Sequence, residues 1–379
     1  MTTAVQVQFR RGTQSQMGAF TGAAGEMNVD TSNNRVVVQD GTTAGGWPAA
    51  RLSEIGGGFL NKFRNGAMDV WQRGTSGLTA TTSGAYTADG WIVQPTGGNV
   101  TAAQAGGRLT TKNSLQVIGA SGVTDVIVKQ RIESLIAAAF CSQAVTVQAQ
   151  VYNDTGGTVT PQLTVNRPSA QDNYASVTAD VNAASLQPCP TGAWTRVGYT
   201  FQANAASYNG LEIAFDFGNN FGSSGKSIQI TECDIRVTSG VPGGLNANPP
   251  AAELRPVWSE LAFCQRYLEK SFRPAVAPAQ AAGFSGALRQ SAFIAGANGY
   301  HTPTISFLAL KAPTATLTVT LYNPANANAQ AYNNSQAADC SSTVAVNDFE
   351  NGFQINWNNP SSTQVNDALF IHWLASAEL

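Results

Sequence analysis

Two carboxylates held roughly 5–10 Å apart across a cleft hydrolyse a glycosidic bond, one serving as acid and the other as nucleophile or base. Asp69, Asp89, Glu133, Glu212, Asp216, Glu232 and Asp234 are the candidates, and Asp216 with Glu232 or Asp234 fall where neighbouring strands would bring them together. With 23 acidic residues spread thinly over 379 positions, such a pairing is expected by chance. A serine hydrolase needs a nucleophile beside a base, and the strained Gly-x-Ser-x-Gly elbow does not occur. His301 follows Tyr300 in a loop, while His372 sits in a strand-like run between Ile371 and Trp373, so both read as packed or surface side chains. Cys141, Cys189, Cys233, Cys264 and Cys340 are far apart and form no Cys-x-x-Cys pair, so they read as buried free thiols rather than zinc ligands. Gly56-Gly57-Gly58 runs into Phe59 and Leu60 with no Walker lysine, and Gly296 to Gly299 is a turn. The expectation is no catalytic residue, no cofactor and no metal.

Recognition of a sugar asks for different groups. Pyranose rings offer C–H faces to aromatic rings, and hydroxyls to amides and carboxylates. The C-terminal part interleaves these as Tyr322-Asn323, Tyr332-Asn333-Asn334 and Phe353-Gln354-Ile355-Asn356-Trp357-Asn358-Asn359. Tyr322, Asn323, Tyr332, Asn333, Asn334, Trp357 and Asn358 are therefore the candidate ligand-binding residues. A second reading stays open: Phe353, Ile355 and Trp357 form one inward strand face, and the asparagines make turns. Trp71, Arg73 and Trp91 read as core packing or a cation–π contact rather than ligand contacts.

Only 12% of residues are charged, about half the usual 25%, and the net charge is −2. That balance excludes a basic nucleic-acid binder. A hydrophobic share of 43% excludes a charge-rich disordered chain. No segment reaches the roughly 18 apolar residues that cross a bilayer, and Met1 to Arg11 lack the apolar core of a secretory signal. Synthesis in a cytoplasm without membrane insertion is the expectation.

The elements that must position these residues are strands. Val145, Val147, Ala149 and Val151 alternate with Thr146, Gln148 and Gln150, predicting one apolar and one polar face. Leu211 to Phe217 and Leu317 to Leu321 repeat the pattern. Between Ile228/Ile230 and Cys233/Ile235/Val237 the apolar register slips by one residue, which predicts a β-bulge. Helical spacing places Leu254, Val257, Trp258, Leu261, Cys264 and Leu268 on one stripe, a core face or a trimer seam, with Pro256 in the first turn. A shorter helix is predicted from Ile132 to about Phe140. Gly56-Gly57-Gly58 closes a first segment, and the stretch from Gly240 through Pro250 closes a second and is expected to leave the sheet.

Val7-Gln8-Phe9-Arg10-Arg11-Gly12-Thr13, Gly25-Glu26-Met27-Asn28-Val29-Asp30-Thr31, Asn34 to Thr43 and Gly45-Gly46-Trp47-Pro48 follow one another in the first fifty residues. This order resembles the N-terminal domain of tailed-bacteriophage fibre and receptor-binding proteins, notably that of the major tropism determinants. The resemblance implies a small trimeric β-prism, in which three copies pool strands too few to enclose a core alone. Trp71-Gln72-Arg73-Gly74, Asp89-Gly90-Trp91, Lys129 to Glu133, Trp194 to Phe201 and Cys264-Gln265-Arg266-Tyr267 look like a module of phage fibres with a jelly-roll similar to carbohydrate-binding modules. Trp373 to Leu379 resembles the end of such fibres. No C-type-lectin signature follows residue 60, so the tropism determinants' way of varying a receptor site is not carried over.

The resulting expectation is a mostly β chain with a trimeric β-prism-like N-terminal domain, then jelly-roll-like β-sandwich domains with a short helix between them. Residues 1–56 form the virion-attachment and trimerisation domain, 60–243 a sandwich similar to carbohydrate-binding modules, 244–279 a linker and helix, and 280–379 a receptor-binding tip. The resemblance implies a homotrimeric tail fibre or adhesin in the virion, made in the host bacterial cytoplasm. Its partners would be neighbouring tail, baseplate or neck proteins and a host cell-surface glycan or protein, and no nucleic acid. A purely structural neck, head or collar fibre and a glycan depolymerase are the alternatives.

Overall fold

A computed structural model describes residues 9–49, 59–108 and 110–379, and its elements are overwhelmingly strands. Residues 1–8 and the Gly56-Gly57-Gly58 boundary lie outside the described residues. The first segment is a four-stranded sheet of Arg10–Gly12, Met27–Asp30, Arg35–Val38 and Trp47–Pro48, in that order, with only the first pair parallel. Its corners are fixed by short polar side chains. Asp40 accepts from the backbone N–H of Thr42 and Thr43, the Thr43 hydroxyl and the Trp47 indole, and the Thr43 bonds above all hold its carboxyl well below the usual range. Gly41, Gly45 and Gly46 take positive φ in these turns. Among the described residues of this segment only Met17 and Val37 are buried hydrophobics, while Met27, Val36, Val38 and Trp47 stay exposed.

Two sheets form the central sandwich. One runs Asn173–Ser185, Gln162–Ala170, Leu211–Asp216, Asp125–Ile132, Trp91–Thr96, Ala85–Tyr86. The other runs Gly244–Leu245, Trp194–Gln202, Ala144–Asp154, Ser227–Val237, Asn113–Ile118, Val100–Gly106, Leu78–Ala80. Phe63, Trp91, Leu115, Phe140, Leu163 and Phe215 fill the space between them with almost no exposure. The predicted bulge is present: Gln148 pairs with Asp234 but Gln150 with Thr231, and Glu232 takes φ 49° in the extra position. The predicted short helix is Ser134–Ala137, continued as a 3₁₀ turn through Phe140.

Two expectations fail for one reason. Thr146, Gln148 and Gln150 are as buried as the valines between them. The stretch after Val241 covers them instead of leaving the sheet: Gly244–Leu245 pairs with Trp194–Gln202, and Gln148 donates to the Pro250 carbonyl at 2.6 Å. Asn246 donates to Thr200 at 3.1 Å, and Glu253 N–H to Asp234 at 2.6 Å. Amide and hydroxyl side chains offer a passing backbone strap hydrogen-bond partners, so a polar strand face can be an interior one.

The helix Val257–Gln265 follows, with Pro256 at its N-cap position. Its inward residues are Glu260 and Cys264, whereas Val257 and Trp258 point to solvent, and Leu268 belongs to the strand Leu268–Lys270. Of the predicted stripe, Cys264 and Leu268 are buried, Leu254 and Leu261 partly so, and Val257 and Trp258 are exposed. Buried Arg255 fixes the rotation: it pairs with Glu260 at 2.9 Å and donates to the carbonyls of Asn61 and Phe63, while Glu260 accepts Asn65 N–H at 2.7 Å. Burying that polar set unpartnered would cost more than the exposure of one tryptophan and one valine gives up.

The last sandwich is organised by Ala368–Ser376, which pairs with Leu268–Lys270, Leu288–Ser291, Thr318–Tyr322 and Tyr332–Asn333. Opposite it, Gly352–Asn358 pairs with Gly299–His301, Ile305–Ser306 and Ser341–Phe349. Phe353, Ile355, Trp357, Leu369, Ile371 and Trp373 make the core between them.

A buried polar seam ties the two sandwiches together. Glu378, just past the organising strand, binds Arg64 at 3.3 Å and Arg73 at 3.2 Å. The Arg64 guanidinium lies over the Tyr267 ring at 3.9 Å. Arg131 and Tyr86 both donate to the Leu379 carbonyl, and Gln72 donates to both Asp89 and the Leu268 carbonyl. Arg266 and Tyr267 converge on Glu133 at 2.7–2.8 Å. Burial alone would raise the Glu133 carboxyl, but these donors outweigh it and hold it below its usual range. Gly90 is positioned at φ 82° under Arg64, where a Cβ would collide with the arginine side chain. The strings Trp71 to Gly74, Asp89 to Trp91, Lys129 to Glu133 and Cys264 to Tyr267 thus meet in one place, and Trp71 and Trp91 are core residues as read.

Glu378→Ala leaves two largely buried guanidiniums without their carboxylate, so it should destabilise the protein by about 3 kcal/mol and lower Tm by roughly 6–10 °C. Thermal unfolding checks this, and an unchanged Tm would mean the seam contributes nothing. A second prediction comes from the edge of the central sandwich, where half-buried Asp125 shares a hydrogen bond with Asp216. Burial, then that bond and the repulsion between them, push the Asp125 carboxyl up from 3.8 to about 6. Its contribution to stability is complete below 3.8 and is lost as pH rises through about 6. Asp125→Asn should therefore raise Tm by about 2–4 °C at pH 8, on the order of 1 kcal/mol at this partly exposed site, and leave Tm unchanged near pH 4. Equal effects at both pH values would show that the Asp125 carboxyl is not raised.

Candidate functional site

Strand Gly352–Asn358 carries the clearest division of labour in the C-terminal sandwich. Phe353, Ile355 and Trp357 point inward and are at most 2% exposed, and Trp357 stacks on Tyr300 with centroids 4.6 Å apart. Gln354, Asn356 and Asn358 point outward by the pleat. Register adds neighbours to this outer face: His301 and Val344 flank Asn356, Gly299 and Ser341 flank Asn358, and Val346 flanks Gln354. Gly299, His301, Ser342, Gln354, Asn356 and Asn358 line a shallow depression of about 490 Å³. Its lining includes no carboxylate, ammonium or guanidinium group.

The seven residues singled out from sequence do not converge. Asn323 is fully buried, donating to Asn328 and Asp339 at 2.7 and 2.8 Å and accepting the N–H groups of Ala325 and Asn326. Asn333 is equally buried, donating to Thr363 and Asp367 and accepting the N–H groups of Ser335 and Gln336. Trp357 is a core residue whose indole donates to Asn359 at 3.0 Å. These three match the alternative reading of turns and an inward face, because their polar groups are engaged inside the protein. Tyr322 is half-buried with its ring edge-on to Phe272, and Tyr332 is half-buried beside Phe284. Asn334 is exposed at the end of its strand, and its backbone N–H is bound to the Ala368 carbonyl. Asn358 is exposed and lies in the depression.

Six of the seven acids considered for hydrolysis are held by other groups, and the seventh, Asp216, shares a hydrogen bond with Asp125. Asp69 accepts from Asn113, Asp89 from Gln72 and Glu133 from Arg266. Glu212 is paired with Lys129 and Arg131, Glu232 with Arg108 and Arg196, and Asp234 with Arg236. Asp216 belongs to one sheet of the central sandwich, and Glu232 and Asp234 to the other, so they are not on neighbouring strands. Burial pushes the Cys189 thiol up to about 11 and the Cys340 thiol up to about 12, which favours their protonated form. His372 is fully buried, hydrogen-bonded to Ser271 at 2.9 Å and to the Gly283 carbonyl at 3.0 Å, and burial lowers its pKa. Among the described residues no cluster of three metal-ligating side chains forms.

Sequence reading missed His301, Gln354 and Asn356 as members of one surface. The alternation from Phe353 to Asn358 signalled the two amides, whereas His301 lies more than fifty positions away and joins them only through strand pairing.

Residues 7–43 match the family described as the major tropism determinant N-terminal domain. A tail fiber receptor-binding protein of Bordetella phage BPP-1 is 55% identical over 60 residues, which are 16% of this chain and 15% of that protein. Among solved structures, a CBM22-1 xylan-binding domain from Paenibacillus barcinonensis Xyn10C is 17% identical, with 44% of this chain and 97% of that one covered at a TM-score of 0.29. The enzymatically active domain of bacteriophage CBA120 tailspike protein 4 is 14% identical, with 47% and 21% covered at a TM-score of 0.32. Neither xylan binding nor enzymatic activity transfers to this chain at such a likeness. Over its first segment, the chain is similar to the N-terminal domain of the major tropism determinant and to part of a bacteriophage tail fibre receptor-binding protein.

Proposed function

We propose that this chain is a bacteriophage fibre protein, a homotrimeric component of the virion that attaches the particle to its host by non-covalent recognition. The observation that carries the reading is the 55% identity over 60 residues with a tail fiber receptor-binding protein. In this reading the N-terminal segment joins neighbouring tail, baseplate or neck proteins, and the C-terminal sandwich faces the host. The open apolar side of the N-terminal sheet, with Met27, Val36, Val38 and Trp47 exposed in a single copy, supports pooling of three copies around an axis. Engagement of Asp69, Asp89, Glu133, Glu212, Glu232 and Asp234 in ion pairs and amide contacts supports recognition rather than hydrolysis by these acids. Weak individual contacts become effective when several copies act from one particle.

Particles lacking this chain should adsorb to host cells at a small fraction of the normal rate, and normal adsorption would reject attachment in favour of a purely structural fibre. Light scattering of the full chain should give three copies per particle in solution. Removal of residues 1–56 should lower that number, and an unchanged trimer would move self-association to the later domains.

A further inference from the structure

The outer face of strand Gly352–Asn358 carries amides of a different disposition from those of Gln148, Asn323 and Asn333. Those three are turned into a strap and into turns. Here Asn356 and Asn358 are directed outward on a central strand, with His301 exposed beside Asn356 on the adjoining one. Each amide presents two donors and an acceptor, and an imidazole presents one of each in its neutral form. Vicinal sugar hydroxyls, which both donate and accept, satisfy such groups in pairs. Half-exposed Val344 next to Asn356 supplies an apolar patch within the same row.

The end of this strand pair is held by two loops. Loops 292–298 and 359–367 are pinned together where Gly299 pairs with Asn358, through Gly296 N–H to Thr363 O at 2.8 Å, Asn359 N–H to Asn298 O at 2.9 Å and Asn366 N–H to Ala292 O at 2.7 Å. They hold Phe293, Ile294 and Val365 exposed. A pyranose presents hydroxyls at its edge and C–H groups on its face, and the outward amides with half-exposed Val344 in the same row match both. Charge selects further. The lining holds no carboxylate, ammonium or guanidinium group and one imidazole, that of His301, so an ionised sugar would lose hydration for at most one charged contact. A protein receptor would ordinarily meet an arginine or an aromatic anchor at the centre of its contact, and this lining offers no exposed one.

Resting on the attachment reading above, we infer that the outer face built by His301, Val344, Gln354, Asn356 and Asn358 binds an uncharged surface polysaccharide of the host. The complex is held by hydrogen bonds to neutral hydroxyls and is insensitive to the charge of the surrounding envelope.

The full-length chain, fluorescently labelled, is titrated onto cells of the bacterium that the particle infects, either untreated, oxidised with periodate to destroy vicinal diols, or treated with protease. The variants Asn356→Asp and Asn356→Lys place opposite charges at one outward position, and Ser223→Lys in an exposed loop of the central sandwich is the control. The expected result is binding that survives protease, is lost after periodate, and falls about tenfold or more for both Asn356 variants at unchanged Tm. The control should bind as the unaltered chain does. Tighter binding by either charged variant would show an ionised ligand and overturn the assignment. Loss on protease with survival after periodate would assign a protein receptor instead. Unaltered binding by both variants would place the contact elsewhere on the chain. Failure of the unaltered chain to bind any host cell overturns the attachment reading itself, and this assignment with it.

Discussion

The Glu378 carboxylate, shared by Arg64 and Arg73 in the interior, is the contact on which the arrangement of the two sandwiches depends. Its partners lie near the start of one sandwich, while Glu378 itself follows the strand that organises the other. Around it, Gln72, Tyr86, Arg131, Glu133, Arg266 and Tyr267 satisfy one another or the backbone. Buried ion pairs are poor sources of net stability, because desolvation offsets most of the attraction. Their geometric demands are strict, however, and a mispositioned seam would strand several charges without partners. The seam therefore selects one relative placement of two sandwiches whose apolar cores are each complete without it.

That use of charge explains a chain in which only 12% of residues are charged. Glu133, Glu212, Glu232, Asp234, Glu260, Glu269 and Glu378 all have side chains no more than 7% exposed, and each has a basic partner. Much of the ionic character is thus internal, and the surface is left largely to hydroxyls and amides. A neutral surface suits recognition of neutral hydroxyl-rich material and resists nonspecific attraction to charged envelopes. Amide side chains, by the same token, appear in two roles that composition does not separate. Asn323 and Asn333 close turns inside the C-terminal sandwich, while Asn356 and Asn358 stand on its outer face.

The strand-rich fold, the bulge at Glu232, the short helix after Ile132 and the inward face of Phe353, Ile355 and Trp357 are all legible in the order of residues along the chain. Those features follow from local alternation of side chains, which a strand reports two residues at a time. That order also marked the strings around Trp71 and Tyr267 as distinctive without revealing what joins them. Only the tertiary structure decided that these strings form one seam, that Thr146, Gln148 and Gln150 are interior, and that Trp258 faces outward. It likewise decided that His301 stands beside Asn356 and that Asn323 and Asn333 are buried in turns. Local periodicity fixes which residues share a face, but whether a face is covered depends on polar partners brought from distant parts of the chain.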